Sequence, residues 1–203
     1  MFLLNSFELI GTIAFAISGA VTGIEKKLDL FGIIFLAVLT AVGGGIFRDL
    51  IIGNTPPTAF VNPSAAIISI ITALVVFFLY KKIHKFEKII VISDALGLGV
   101  FTAIGCRMAM THGASNAFFV VAMGLSTGVG GGMIRDVFVG NVPFVLKKEI
   151  YAMASIAGAL FFYASYPYMP EMVALYFCSA IVFVIRIVAV IHKINLPTRY
   201  YEQ

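Results

Sequence analysis

Long apolar runs separated by short polar breaks make up this chain, and the length of the runs sets its reading. A helix needs about 20 apolar residues to cross the hydrocarbon of a bilayer. On that ruler the runs predict seven spans, roughly 5–24, 30–53, 63–80, 90–110, 116–139, 147–165 and 171–192. The intervals between them leave no room for a soluble domain. The expectation is an all-α polytopic membrane protein, with residues 1–203 forming a single transmembrane domain.

Composition agrees with that pattern. The chain is 61% hydrophobic and 12% charged, with no tryptophan and a mean hydropathy of +1.03. A soluble protein of this length needs far more polar surface. The formal charge of +4 does not indicate nucleic acid, because the basic residues sit in short clusters between apolar runs. Alternate breaks collect Lys26, Lys27, Lys81, Lys82, Lys85, Lys88, Lys147, Lys148, Lys193 and Arg199 on one side, leaving Arg107 alone on the other. The positive-inside rule then puts the C-terminus in the cytoplasm and the N-terminus outside. An even number of spans would destroy that segregation. The Lys81, Lys82, Lys85 and Lys88 cluster can also meet anionic lipid headgroups, though topology already accounts for it.

Ala16-Ile17-Ser18 looks like a signal-peptide cleavage site, but no Lys or Arg precedes the first apolar run. That run also has a counterpart later in the chain, so it is expected to be a retained helix. The counterpart belongs to a repeat. Thr40–Pro56 reads TAVGGGIFRDLIIGNTP, and Thr127–Pro143, 87 positions later, reads TGVGGGMIRDVFVGNVP. The glycine triplet, the Arg-Asp pair and the closing Gly-Asn-x-Pro are identical. The same offset pairs Ser6 with Ser93, Ala16 with Ala103 and Ile17 with Ile104. Each repeat therefore holds three spans (about 5–80 and 90–165), with a seventh helix, about 171–192, left over. Three is odd, so the second copy must cross the membrane in the opposite sense, giving an inverted-topology pair.

The motif places costly groups at membrane depth. Each Gly costs about 1 kcal/mol relative to Ala inside a helix. Gly43, Gly44 and Gly45, and Gly130, Gly131 and Gly132, are therefore expected to bend or unwind the second and fifth spans. Glycines could instead serve a tight crossing of those two helices. A charge near a helix centre costs about 2.5–3.5 kcal/mol on insertion scales. Arg48, Asp49, Arg135 and Asp136 thus need partners, and neighbours along one helix point about 100° apart. Partners on other helices, or water, are expected.

Spacing by four aligns Thr40, Gly44 and Arg48 on one stripe and Thr127, Gly131 and Arg135 on its mate. These stripes are expected to line a wet path, with Asp49 and Asp136 holding helices or arginines in place. Each arginine lies about 5–7 Å along its helix from the glycines, one on each side of the midplane. Gly53-Asn54 and Gly140-Asn141, followed by Pro56 and Pro143, read as helix stops.

Other polar residues carry less. Thr12, Ala16 and Ala20, and Ala95, Gly99 and Ala103, form small-residue stripes suited to helix packing. Glu8 and Asp94 begin the first and fourth predicted spans, where a carboxylate favours a helix N-terminus. Arg186 is expected to snorkel to the cytoplasmic interface. Cys106 and Cys178 are expected as buried apolar side chains. His84, His112 and His192 have no ligand company and read as solvated. No tightly bound metal, cofactor or nucleic acid is expected, and no Ser/His/Asp set or HExxH motif suggests an enzyme.

GGGIFRD and GGGMIRD on the second and fifth of seven helices, each followed by Gly-Asn, resemble the prokaryotic branch of the trimeric intracellular cation (TRIC) channels. The resemblance spans nearly the whole chain. It implies a homotrimer in the prokaryotic inner membrane, each subunit with its own pore bounded by glycine-kinked second and fifth helices. It also implies passage of monovalent cations, chiefly potassium. Carried over by residue, it reaches Gly43–Gly45, Gly130–Gly132 and the basic positions Arg48 and Arg135. Animal members bear a lysine-containing motif there and respond to calcium and phosphoinositide. This chain has arginines, so that regulation does not carry over. Some bacterial relatives are linked instead to transport of small neutral amino acids such as glycine.

Two functions therefore compete. In a channel, helix carbonyls and threonine hydroxyls replace part of an ion's hydration shell. In a secondary transporter, Arg would bind a carboxylate and Asp an ammonium, at the midplane site that inverted repeats favour.

Overall fold

Asp29 and Asn116, one repeat length apart, each start a long helix in the same way. The Asp29 carboxylate accepts from Gly32 N and the Asn116 amide oxygen from Phe119 N, both at 2.8 Å. These caps satisfy backbone N–H groups that the first helical turn leaves free. The helices also end alike. Gly53 and Gly140 take left-handed conformations, φ +74° and +69°. Asn54 N and Asn141 N then donate to the carbonyls of Asp49 and Asp136, each at 2.8 Å, closing the last turn.

The computed structural model describes residues 2–80, 86–113, 116–147 and 150–194. Lys81, Lys82, His84, Lys85, Lys148 and Arg199, of which the lysines and Arg199 serve the topology argument, lie outside them. The described residues form α1 (Phe2–Glu25), α2 (Leu30–Ile51), α3 (Thr58–Val61), α4 (Ser64–Leu79) and α5 (Phe86–Thr111). They continue with α6 (Ala117–Phe138), α7 (Phe144–Lys147), α8 (Ile150–Ser165) and α9 (Glu171–Ile191). The protein is all-helical. Five helices, α1, α2, α5, α6 and α9, are long and apolar enough to cross a membrane. At 16 residues each, α4 and α8 are shorter, about 24 Å. Single-turn helices, α3 and α7, precede them at matching places in the two repeats.

The packing is paired. α1 lies against α5 and α2 against α6, so equivalent helices of the two repeats meet at the centre. α4 packs on α1 and α2 as α8 packs on α5 and α6, and α9 covers α5 and α8. Ala16, Ala20, Ala95 and Ala103 are fully buried, in keeping with close approach of α1 and α5. Arg107 and Glu171 tie α5 to α9 through a 2.6 Å contact. Large apolar side chains such as Phe31, Phe78 and Phe118 point outward, as a lipid-facing surface requires.

The glycine triplets do not unwind their helices. α2 and α6 run unbroken through Gly43–Gly45 and Gly130–Gly132. The glycines instead let the two backbones touch. A Cβ on Gly44 would collide with the Thr127 carbonyl oxygen, and one on Gly131 with the Thr40 carbonyl oxygen. Gly130 would come within 3.0 Å of the Gly44 Cα. An unwound turn would expose polar backbone groups at membrane depth, whereas the intact ladder keeps them satisfied. Close packing then offsets the low helix propensity.

Gly131→Ala should destabilise the fold by about 1–3 kcal/mol through overpacking against backbone that cannot move aside. Gly45→Ala, whose nearest neighbour would be Arg48 Nη2 at 3.8 Å, should leave stability unchanged or slightly raised. Unfolding of both variants in detergent checks the pair; equal losses would refute the crossing as the role of Gly131.

Candidate functional site

Each motif builds a corner from its own Arg-Asp pair. Arg48 Nε and Nη2 reach Asp49 Oδ1 at 2.9 and 2.8 Å. Arg135 Nε and Nη2 reach Asp136 Oδ1 at the same two distances. This departs from the expectation that sequence neighbours could not pair. The long arginine side chain curls back across the gap that adjacent helical positions leave between their Cβ directions. The other oxygen of each aspartate holds the chain that follows. Asp49 Oδ2 accepts from Thr58 N at 2.7 Å and Asp136 Oδ2 from Phe144 N at 2.9 Å. One carboxylate thus neutralises an arginine and anchors a single-turn helix.

Beyond these corners the repeats diverge. Arg135 is fully buried. Its Nη1 donates to Asp94 Oδ1 at 2.6 Å and to Ser18 Oγ at 2.5 Å, joining α6 to α5 and α1. Its guanidinium also lies 5.1 Å from the Phe144 ring centroid. Tyr151 and Arg186 close the cluster, the Arg186 guanidinium standing 4.8 Å over the Tyr151 ring. Gly132 leaves the space in which Asp94 and Tyr151 meet, since a Cβ there would come within 3.3 Å of the one and 3.0 Å of the other. Asp94 Oδ2, Tyr151 Oη and Arg186 Nε are buried without a hydrogen-bond partner.

Two expectations are corrected here. Asp94 is not a helix cap: α5 begins at Phe86, which puts Asp94 about two turns inside, paired with Arg135. Arg186 does not snorkel; it is 2% exposed and stacks on Tyr151 within the bundle. An aromatic face gives a buried cation a partner in place of water.

Arg48 stands against open space instead. A cavity of about 600 Å³ lies between α1, α2, α3 and α4, with Arg48, Asp49 and Gly45 in its wall. Asn5, Glu8 and Thr12 of α1 face it from one side. Thr58, Asn62 and Ser64 face it from the other, and Phe101 forms part of its lining. Phe101 stacks on Phe15 with ring centroids 5.2 Å apart. One turn along α1 from Phe15 is Ser18, the Arg135 partner. Along α1, Phe15 thus falls between the cavity residues Glu8 and Thr12 and the Arg135 partner Ser18.

Of the ten residues expected along a path, Gly45 and Arg48 reach this cavity. Thr40 and Thr127 turn their hydroxyls back onto their own helices, donating to Leu36 O and Met123 O at 2.6 Å. Gly44, Gly130 and Gly131 sit in the α2–α6 crossing, Gly43 faces Ile134, and Gly132 faces the Asp94–Tyr151 cluster. The residues that sequence reasoning missed lie on α1. Asn5, Glu8, Thr12, Ser18 and Thr22, spaced by three, four or six, form a polar stripe broken only by Phe15. Glu8 lies two turns inside α1, exposed and facing the cavity, rather than at the helix start. That stripe was legible in the sequence as hydrophilic positions recurring along an apolar span. Reading Thr12 as packing and Glu8 as a helix-start carboxylate hid it.

Residues 5–81 and again 91–167 match the family model described as a glycine transporter. The chain is 34% identical over 194 residues to the UPF0126 inner membrane protein YadS of Escherichia coli K12, covering 94% of this chain and 93% of that protein. It superposes on the crystal structure of a prokaryotic TRIC channel in 0.5 M KCl with a TM-score of 0.91 and 36% identity, over 97% of this chain and all of that one. The TRIC orthologue from Rhodobacter sphaeroides matches with a TM-score of 0.90 and 29% identity, over 96% of this chain and 100% of that one.

The two corners should respond unequally to loss of their arginines. Arg135→Met leaves Asp94 and Asp136 buried and unpaired, which should cost about 3–5 kcal/mol. Arg48→Met should cost less than about half as much, because cavity water can hydrate Asp49. Unfolding of the two variants in detergent measures the difference; equal losses would contradict it.

Proposed function

This chain belongs to the UPF0126 family, the prokaryotic TRIC family, and from that premise we propose that it is a membrane channel for monovalent cations, chiefly potassium. The observation that carries the reading is chain-wide likeness to solved TRIC cation channels. The open polar cavity beside Arg48 supports it. The working form is a homotrimer in the prokaryotic inner membrane, each subunit with its own pore, the N-terminus outside and the C-terminus cytoplasmic. The two three-helix repeats act as inverted halves around the α2–α6 crossing.

The proposed route enters the cavity beside Arg48 and follows the polar stripe of α1. It passes the Phe15–Phe101 stack and reaches Ser18 and Arg135. Arginine would repel a cation, but Asp49 neutralises Arg48 within 3 Å, and Asp94 and Asp136 do the same for Arg135. On this reading the buried Phe15–Phe101 stack is the point at which the route closes. An apolar constriction of this kind blocks ions by excluding their water. Opening requires the aromatic pair to part and the Arg135 cluster to loosen.

A second reading, transport of a small neutral amino acid such as glycine, draws on the description of the matching family model. Arg48 at the cavity wall could receive a carboxylate. The asymmetry of the site favours the channel: Asp49 already occupies the guanidinium edge that a substrate carboxylate would need.

Purified protein in liposomes should pass potassium down its gradient and build a membrane potential, without saturable uptake of labelled glycine. Phe101→Ala should raise the resting potassium flux severalfold by letting water past the stack. Saturable glycine uptake with no ionic current would overturn the channel reading in favour of the transporter.

A further inference from the structure

The cavity beside Arg48 holds three formal charges, and two of them cancel. Arg48 and Asp49 are bonded to each other, and Asp49 also accepts from Thr58 N. Glu8 remains. It projects from α1 into the same space, is exposed, and forms no ion pair among the described residues. Its surroundings are oxygen-rich, with Asn5 and Thr12 on its own helix and Asn62 and Ser64 across the cavity. The space, about 600 Å³, has room for a hydrated ion.

At the matching positions of the second repeat the chain differs. Glu8, Thr12 and Ser64 correspond to Ala95, Gly99 and Tyr151. Ala95 is buried, Gly99 is pressed against Ser179 of α9, and Tyr151 fills the core. Among the described residues, the counterpart of Glu8 carries no carboxylate and faces no such space.

We propose that Glu8 is the cation-recruiting residue of this protein, concentrating monovalent cations in the cavity between α1, α2 and α4. The inference rests on the channel reading given above. A cleft carrying one sign of charge within low-dielectric walls raises the local counter-ion concentration. For one charge about 5 Å from a hydrated ion in water, that is roughly a fourfold enrichment before screening and about threefold in dilute salt. Screening shortens the reach of the charge from about 30 Å at 0.01 M salt to about 3 Å at 1 M. Its contribution to current is therefore largest in dilute salt.

The test is potassium conductance of the full chain in neutral-lipid bilayers at about 0.01 M and about 1 M salt, for wild type, Glu8→Gln and Glu8→Asp. Glu8→Gln should conduct roughly threefold less than wild type in dilute salt and about equally in concentrated salt. Glu8→Asp should stay near wild type in both. Equal conductance of Glu8→Gln and wild type at both concentrations overturns the proposal while leaving the channel reading intact. A loss of the same size at both concentrations also overturns it, since a packing defect has no salt dependence. Absence of any wild-type potassium current overturns the channel reading itself.

Discussion

A charge within an apolar bundle must find a partner, and the adjacent Arg and Asp of each motif supply it to one another. Every other feature of the two corners follows from that contact. With one carboxylate oxygen taken by the arginine, the second is free to hold a backbone N–H of the next segment, Thr58 in one repeat and Phe144 in the other. The end of the long helix, the turn after it and the start of the short helix are thereby locked into one unit. The glycines upstream complete it by letting α2 and α6 cross at backbone contact, so two such units meet back to back.

From this common frame the halves take different courses, and the difference lies in a few side chains. The position of Asp94 is held by Phe7 in the first repeat, and that of Tyr151 by Ser64. Asp94 and Tyr151, with Ser18 from across the centre and Arg186 from α9, enclose Arg135 completely. Phe7 and Ser64 cannot do so for Arg48, and a cavity results. One half is a packed polar core and the other an aqueous recess.

The Arg135 cluster draws on five helices, α1, α5, α6, α8 and α9, and leaves polar atoms of Asp94, Tyr151 and Arg186 without hydrogen-bond partners. In a fully satisfied network such atoms would be paired. The Phe15–Phe101 stack beside the cluster is a contact of a different kind, apolar and without charge.

The sequence by itself determined the helices, their number and approximate ends, the 87-residue repeat and the stops at Gly53 and Gly140. Those depend on local rules: apolar length, backbone caps and left-handed glycines act within a few residues of where they are written. It also marked Arg48, Asp49, Arg135 and Asp136 as groups needing partners. Which partners they took was decided only in three dimensions. Asp94 looked like an end-of-helix residue because the start of its span is blurred by about one turn, whereas Arg186 lies where expected along α9 and only its packing on Tyr151 fixed its inward face. The glycine triplets read equally as breaks or as contact points until the opposing carbonyls of Thr40 and Thr127 were in place. The cavity belongs wholly to tertiary structure, since empty space between α1, α2 and α4 is set by what neighbouring helices fail to fill.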